Sequence, residues 1–193
     1  MAWSSLIIVG KYLVWRLSAV LFTLILPAVA HACMTSAGTD LRDIFSAKAV
    51  VVGKVSKYEI VGDARRTIRN YARFEIETKE VLYGEAATSL VVTWDNSTFA
   101  EPETIEMEDN YIFALRDPKS PGLPLRGTSA TIFPNPEPDK LTILQAPCAG
   151  PFIFPNKGNV ARAIRLIFDG EGDPRLKADV LARFLGMAGD GRF

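Results

Sequence analysis

The stretch "AVVVGKVSKYEIV" (49–61) decides the fold class. Its β-branched residues predict a long strand. Gly53 inside the run predicts a bulge or a tight bend, because glycine in a strand interior usually marks one. A small closed barrel needs such a bend, so this strand favours a barrel from the start.

The next segment, "YARFEIETKEVLYG" (71–84), alternates between apolar or small residues and charged ones. One face carries Ala72, Phe74, Ile76 and Thr78, and the other carries Arg73, Glu75 and Glu77. We therefore expect a strand with one buried face and one wet face.

Three shorter strands are predicted further along, at "SLVVTW" (89–94), "YIFAL" (111–115) and "LTIL" (141–144). Five antiparallel strands with a bulged first strand favour an OB-type barrel, because a sandwich usually needs about seven or more. Two Pro-rich segments, "SPGLPLRG" and "FPNPEPDK", are predicted as surface loops that either bind a partner or merely connect strands.

Helical segments flank the strands. Thr39 is a candidate cap for a short helical turn that buries Leu41, Ile44 and Phe45. Near the C-terminus a first helix is predicted from Val160, Ile164, Ile167 and Phe168, with Asn159 as its candidate cap and Gly170 as its end. A second helix begins at Asp173-Pro174 and carries a stripe of Leu176, Val180, Phe184 and Leu185. We expect both stripes to pack against the barrel rather than face a partner.

The N-terminal region has the pattern of a secretory signal peptide. Only Lys11 and Arg16 are charged, a long apolar run follows, and Ala30-His31-Ala32 predicts cleavage after residue 32. The mature domain is then 33–193, with the barrel at about 33–155 and the helices at about 159–187, in a secreted or periplasmic protein. Two alternatives rank below cleavage: a retained anchor formed by residues 6–29, and a lipoprotein acylated at Cys33.

Cleavage changes the chemistry of the chain. Removing Lys11 and Arg16 from the 22 basic residues leaves 20 against 22 acidic ones, so no basic excess attracts nucleic acid or an anionic membrane. The only histidine, His31, is lost as well, which excludes catalytic triads and His-based zinc sites. We expect a protein that is not an enzyme, has no cofactor and is not stably inserted in a membrane after cleavage.

Three further groups of residues are candidate catalytic or ligand-binding sites. The acidic run Glu101, Glu103, Glu106, Glu108 and Asp109 is a candidate for calcium binding or acid–base chemistry, but it matches no calcium loop, so we expect a solvated surface segment. The aromatic residues Tyr71, Phe74, Tyr83, Trp94 and Tyr111 are a candidate base-stacking set. The arginines Arg65, Arg66, Arg69 and Arg73 would have to supply its phosphate contacts, and a solvated hairpin face explains them better.

The chain has two cysteines, Cys33 and Cys148. In an oxidising compartment an even pair predicts one disulfide. A reactive thiol is the weaker alternative, because the mature chain has no histidine to activate it.

These elements together resemble a known family. The processed Cys33 and the segments "AKAVVVGKVSKYE", "RFEIETKEVLYG", "DNYIFAL" and "LTILQAPCAGPFIFPN" look like the N-terminal inhibitory domain of the tissue inhibitors of metalloproteinases, within the netrin-like group. The resemblance covers about residues 33–164. The family has Cys-x-Cys at its start, whereas this chain has Thr35 at the second position, and two plain helices replace the disulfide-rich C-terminal domain of the family.

The resemblance implies a binding role for residues 33–35. The α-amine and carbonyl of Cys33 would chelate the zinc of a target metalloproteinase, and Met34 would fill its first specificity pocket, with Thr35 next in the same segment. Cys148 corresponds to a family cysteine whose usual partner stands at the Thr35 position, so pairing with Cys33 would be a changed connectivity. We expect a metalloproteinase inhibitor; the alternative is a non-inhibitory extracytoplasmic module that binds protein or glycan.

Overall fold

The computed structural model describes residues 38–62, 71–95, 105–123 and 135–187. These residues form a 3-10 helix, six β-strands and two α-helices. In chain order they are the 3-10 helix Leu41–Ser46, β1 Ala49–Val61, β2 Tyr71–Gly84, β3 Ser89–Trp94, β4 Asn110–Arg116, β5 Thr142–Ile143, β6 Ile153–Pro155, α1 Gly158–Ile167 and α2 Pro174–Phe184. The leader predicted at residues 1–32 lies outside the described residues.

Five of the described strands close into a barrel. Their order is β1-β2-β3-β5-β4, and β4 also pairs with β1, so the sheet returns to its starting strand. The β3–β5 pairing is parallel and the others are antiparallel, so the expectation that all five strands are antiparallel is wrong for this one pair. This closure confirms the predicted five-stranded OB-type barrel. A sixth strand that the sequence analysis did not predict, β6, pairs with the first half of β4 outside the ring.

β1 curves as its sequence predicts. Its pairing with β2 shifts register between Val50 and Val51, between Val52 and Gly53, and between Val55 and Lys57. At Gly53 a Cβ would come within 2.5 Å of Ile76 Cγ2 and 2.8 Å of the Glu77 carbonyl oxygen. The strand therefore needs glycine at this bulge because β2 lies too close for a side chain.

The barrel wall at β1 and β4 is buried on both sides. Alternate residues of the two strands face the barrel interior, among them Val51, Val55 and Phe113. The residues between them, including Val50 and Ile112, belong to a second core beneath the helices. Because both faces are covered, "AVVV" reads as a continuous apolar run rather than an alternating one.

The predicted helices are present, with different caps. The 3-10 helix is capped by Asp40, whose side chain accepts from Arg42 N, and not by Thr39. Leu41 and Ile44 are fully buried there, as predicted. The first α-helix begins at Gly158, so Asn159 lies inside the first turn and is not the cap. Asp173 and Pro174 begin α2 as predicted, with the Asp173 carboxylate accepting from Arg175 N.

The predicted packing stripe of α2 is wrong for three of its four residues; the fourth, Leu185, is partly buried against the core beneath the helices. Leu176, Val180 and Phe184 are 67 %, 64 % and 80 % exposed, whereas Ala178 and Ala182 are fully buried. The small alanine face lets α2 lie close against α1 and the 3-10 helix, and the large apolar residues point outward as a result. Among the described residues no helix is long and apolar enough to cross a bilayer.

Candidate binding site

The residues predicted to contact a target, Cys33, Met34 and Thr35, lie outside the described residues. Cys148, their predicted tether, is described and is only 2 % exposed. It is not a free thiol. Its pairing with Cys33 stays a prediction. The structure does describe the residues around Cys148.

Cys148 sits in a tight turn with an unusual backbone. Ala149 N donates to Ala146 O at 3.0 Å, which closes the turn around Pro147 and Cys148. Cys148 has φ 62°, a positive value that non-glycine residues seldom adopt. Proline followed by a positive φ is the pattern of a type II turn, in which glycine usually takes the Cys148 position. The turn therefore holds the cysteine in a strained, fixed orientation.

Backbone hydrogen bonds close the base of the loop that carries this turn. Leu144 N donates to Ala114 O at 2.9 Å, Ala114 N donates to Phe152 O at 3.1 Å, and Phe152 N donates to Leu144 O at 3.0 Å. The three bonds form a ring that anchors both ends of the loop to β4. Residues 145–151 therefore form a loop whose two ends are fixed to β4, and Ala146, Cys148 and Ala149 within it are buried.

A buried glutamine supports the same loop from inside. The Gln145 side chain is only 9 % exposed. Its Nε2 donates to Ala149 O at 2.5 Å, and its Oε1 accepts from Trp94 Nε1 at 2.6 Å. The amide thus links the end of β3 to the far side of the Cys148 turn.

The first described residues pass along this loop. A Cβ at Gly150 would come within 2.5 Å of Thr39 Oγ1, so the Thr39 side chain lies directly against the Gly150 backbone. Thr39 is six residues after Cys33, and Gly150 is two residues after Cys148. Thr39, close to the start of the described chain, therefore lies beside the Cys148 loop.

A groove of about 420 Å³ lies beside the loop. Aromatic and aliphatic side chains together with prolines form most of its wall, and three charged residues complete it. Its lining residues are Trp94, Ile105, Glu106, Asp109, Tyr111, Pro151, Ile153, Pro155 and Lys157. Apolar walls with a few polar groups are typical of binding clefts.

The rim of this groove is ordered by polar contacts. Lys157 Nζ donates to Asp109 Oδ2 at 3.0 Å, and this hydrogen bond raises the pKa of Lys157. Glu106 N donates to the Tyr111 hydroxyl at 3.0 Å, which fixes the approach to β4. With Asp109 paired, the Glu106 carboxylate gives the rim a net negative charge.

Most of the other candidate residues from the sequence are buried in the core, form surface ion pairs or lie outside the described residues. Phe74, Trp94 and Tyr111 are buried in the barrel core, so they do not present fully exposed rings on which bases could stack. Glu101 and Glu103 lie outside the described residues, and Glu108 forms a surface pair with Lys54 at 2.7 Å. No cluster of His, Cys, Asp or Glu suited to a metal occurs in the part of the chain that the structure describes.

The described part of the second Pro-rich loop is fastened to the barrel. Glu137 accepts from Arg73 Nε at 2.8 Å and from the Tyr71 hydroxyl at 3.0 Å, and it pairs with Lys140 at 2.6 Å. Burial opposes ionisation of Glu137, but these hydrogen bonds outweigh it and lower its pKa to about 2. Arg73 also pairs with Glu59 at 2.8 Å, while Arg65, Arg66 and Arg69 lie outside the described residues.

The supporting residues Gln145 and Gly150 were not predicted from the sequence. The signal for Gln145 is a single amide inside the otherwise apolar run "LTILQAPCAGPF", because an amide buried there needs partners on both of its atoms. The Thr39–Gly150 contact has no such signal, since the two residues are far apart in the chain.

No protein-family model matches the chain. No curated protein is significantly similar to it either.

Proposed function

We propose that the protein is an extracytoplasmic inhibitor of zinc metalloproteinases that acts through its mature N-terminus. In this proposal the leader is cleaved after Ala32, and the α-amine and carbonyl of Cys33 bind the catalytic zinc of the target. Met34 enters the adjoining specificity pocket, where a flexible apolar side chain adapts to the shape of the site.

The observation that carries the proposal is the loop around Cys148, which hydrogen bonds hold in a fixed conformation. A chelating chain end is effective only if it is fixed before it meets the metal, because ordering it on binding costs free energy. The ring of backbone bonds, the Gln145 amide and the strained turn all restrict Cys148. The Thr39–Gly150 contact supports the view that the N-terminal segment runs along the same loop.

The chemistry also fits the amine of Cys33. A terminal amine has a pKa of about 8, so it must lose a proton before it donates to a metal. Inhibition is therefore expected to strengthen as the pH rises towards that value.

The test compares three forms of the purified mature protein against a panel of zinc endopeptidases. The forms are the chain beginning at Cys33, the same chain extended by one N-terminal Ala, and the same chain extended by one C-terminal Ala as the matched control. We expect only the N-terminal extension to abolish inhibition, with unchanged thermal unfolding in all three. Equal potency of the two extended forms, or no inhibition of any zinc enzyme, would rule out the chelation mechanism.

A second candidate function is a non-inhibitory binding module, and the groove beside the Cys148 loop favours it. Its apolar floor and net negative rim would suit a protein segment that carries apolar and basic side chains. Glu106→Lys reverses the rim charge while keeping the backbone bond to Tyr111, and Glu106→Gln is the neutral control. Partner capture that survives blocking of the Cys33 α-amine but is lost in Glu106→Lys would favour this function over inhibition.

A further inference from the structure

The end of α2 meets the start of the 3-10 helix. Leu41, the first residue of that helix, donates its backbone N–H to the carbonyl oxygen of Met187 at 3.1 Å. Met187 is the last described residue, so this bond joins two residues near opposite ends of the described chain. The first N–H groups of a helix have no partner inside the helix. The chain just beyond α2 therefore supplies the partner that Leu41 needs.

A glycine turn at the end of α2 places the Met187 carbonyl. Gly186 N donates to Arg183 O at 3.2 Å, and Met187 N donates to Ala182 O at 2.7 Å. Gly186 has φ 66°, in the left-handed region. This pair of bonds around a left-handed glycine is a Schellman motif, a common end of an α-helix. We call Gly186 and Met187 the α2 cap; its shape depends on a backbone conformation that favours glycine.

A guanidinium joins the same two helices through side chains. Arg42 Nη2 lies 2.6 Å from Asp40 Oδ2, and Asp40 is the buried residue that caps the 3-10 helix. Arg42 Nη1 lies 3.6 Å from Asp179 Oδ1 on α2. Backbone and side-chain contacts therefore both attach the start of the 3-10 helix to α2.

The same stretch of chain also contacts the Cys148 loop. Thr39, two residues before Leu41, lies directly against the Gly150 backbone. Residues 39–42 are thus in contact with both that loop and α2. The hydrogen bonds of the barrel join strand to strand, so a change at the α2 cap is expected to leave them in place.

We propose that α2, through its cap, positions the N-terminal segment of the protein. By holding Leu41, the cap keeps residues 39–42 beside the Cys148 loop. When the cap is disturbed, this segment is expected to open while the barrel stays folded, because local opening costs less free energy than global unfolding. The opening is independent of any activity, whereas its effect on inhibition rests on the function proposed above. A loosened chain end binds a target more weakly, because it has to be ordered on binding.

Residue-resolved amide hydrogen exchange of the protein, exported with its own leader, tests the cap directly. Gly186→Ala is the informative variant, because nothing lies within 4 Å of an added Cβ and only the left-handed backbone opposes the change. Loss of the bond to Met187 should accelerate exchange of the Leu41 amide by about tenfold, the factor that one hydrogen bond implies. Exchange of the β1 and β4 amides should not accelerate to this extent.

Two variants separate the role of the cap from a general loss of stability. Gly170→Ala is the matched control: Gly170 also has a positive φ, 83°, and open space around its Cβ, but it stands before α2. It should leave exchange at Leu41 close to the wild-type rate. Gly186→Asn introduces a residue that tolerates left-handed backbone and should restore slow exchange. Slow exchange of Leu41 in Gly186→Ala, or equally fast exchange in Gly170→Ala, would overturn the proposal.

A second pair of variants covers the case in which Gly186→Ala does not fold. Asp179→Asn weakens the contact with Arg42, whereas Arg183→Gln removes only the ion pair of 2.9 Å between Arg183 and Asp179. Faster exchange at residues 41 and 42 is expected in Asp179→Asn alone. Equal exchange rates in the two variants would contradict a role of α2 in holding the segment.

Inhibition assays connect the cap to the proposed function. Against a zinc endopeptidase that the wild-type protein inhibits, Gly186→Ala should raise the inhibition constant by about threefold to tenfold, while Gly186→Asn and Gly170→Ala should not. An unchanged inhibition constant despite fast exchange at Leu41 would overturn the positioning role. If the wild-type protein inhibits no zinc enzyme, the function proposed above fails, and the exchange rates still decide whether the cap holds the segment.

Discussion

Trp94 and Gln145 join the barrel to the loop that holds Cys148. The indole Nε1 of Trp94 donates to Gln145 Oε1 at 2.6 Å, and the same amide donates to Ala149 O at 2.5 Å. Trp94 is 3 % exposed and Gln145 is 9 % exposed, so both bonds are shielded from water. A shielded bond between neutral groups costs more to lose than an exposed one, because water does not replace the missing partner.

We expect Gln145→Leu to lower the free energy of unfolding by about 2–4 kcal/mol, because two buried hydrogen bonds are removed together. Urea unfolding measures the change, and amide hydrogen exchange should accelerate locally at residues 146–151. A double-mutant cycle with Trp94→Phe separates the bond from general packing, with an expected coupling of about 0.5–3 kcal/mol. Strict additivity of the two substitutions would show that the bond contributes nothing.

The Glu137 carboxylate makes stability depend on acid. Its pKa in the folded protein is about 2, below its ordinary value of 4.5, so folding favours the ionised form. This stabilisation is complete above the ordinary pKa, declines as the pH falls below it, and is lost as the pH passes through the folded value. Urea unfolding from about pH 7 to about pH 2 should show the decline.

Glu137→Gln tests the assignment of that acid-sensitive stability. The variant should be less stable at neutral pH by about 1–2 kcal/mol, a modest amount because Arg73 is partly exposed to solvent. It should also lose less stability on acidification, since the titrating group is gone. Asp139→Asn is the matched control, because Asp139 is 76 % exposed and its replacement leaves the Glu137 hydrogen bonds in place. An equally steep acid decline in Glu137→Gln would assign the dependence to other carboxylates.

The strands could be predicted from the sequence because their signals are local. β1 and β2 have the predicted bounds, since β-branched residues and two-residue alternation depend only on neighbouring positions. The parallel β3–β5 pairing and the short β6 depend on how distant segments meet. β6 is only three residues long and ends at Pro155, so it has too little pattern for periodicity to detect.

The orientation of α2 shows what helical periodicity cannot predict. Ala178 and Ala182 share helical spacing, and so do Leu176, Val180 and Phe184, so spacing alone identifies two faces without ranking them. Hydrophobicity favours the larger residues as the core. The close approach of α2 to α1 and the 3-10 helix selects the alanines instead, and only the tertiary structure contains that information.

The candidate site could be predicted only in part, because some of its residues have a local signal in the sequence and others do not. Cys148 follows from cysteine counting, because a pair of cysteines is visible in any sequence. The hydrogen bonds that fix its loop join residues from β3, β4 and the loop itself, and no motif spans those separations. The role assigned to Cys33, Met34 and Thr35 rests on the resemblance and stays a prediction.

Gly53 gives the last prediction, which concerns the bend that closes the barrel. We expect Gly53→Ala to lower the free energy of unfolding by about 1–3 kcal/mol, because its Cβ would meet backbone that cannot move aside. That backbone is the Glu77 carbonyl, 2.8 Å from the position of the added carbon. Gly122→Ala is the matched control: nothing lies within 4 Å of a Cβ there, so the same chemical change should cost less than about 0.5 kcal/mol. Equal effects of the two substitutions in urea unfolding would show that β2 yields at this point and that the bulge does not require glycine.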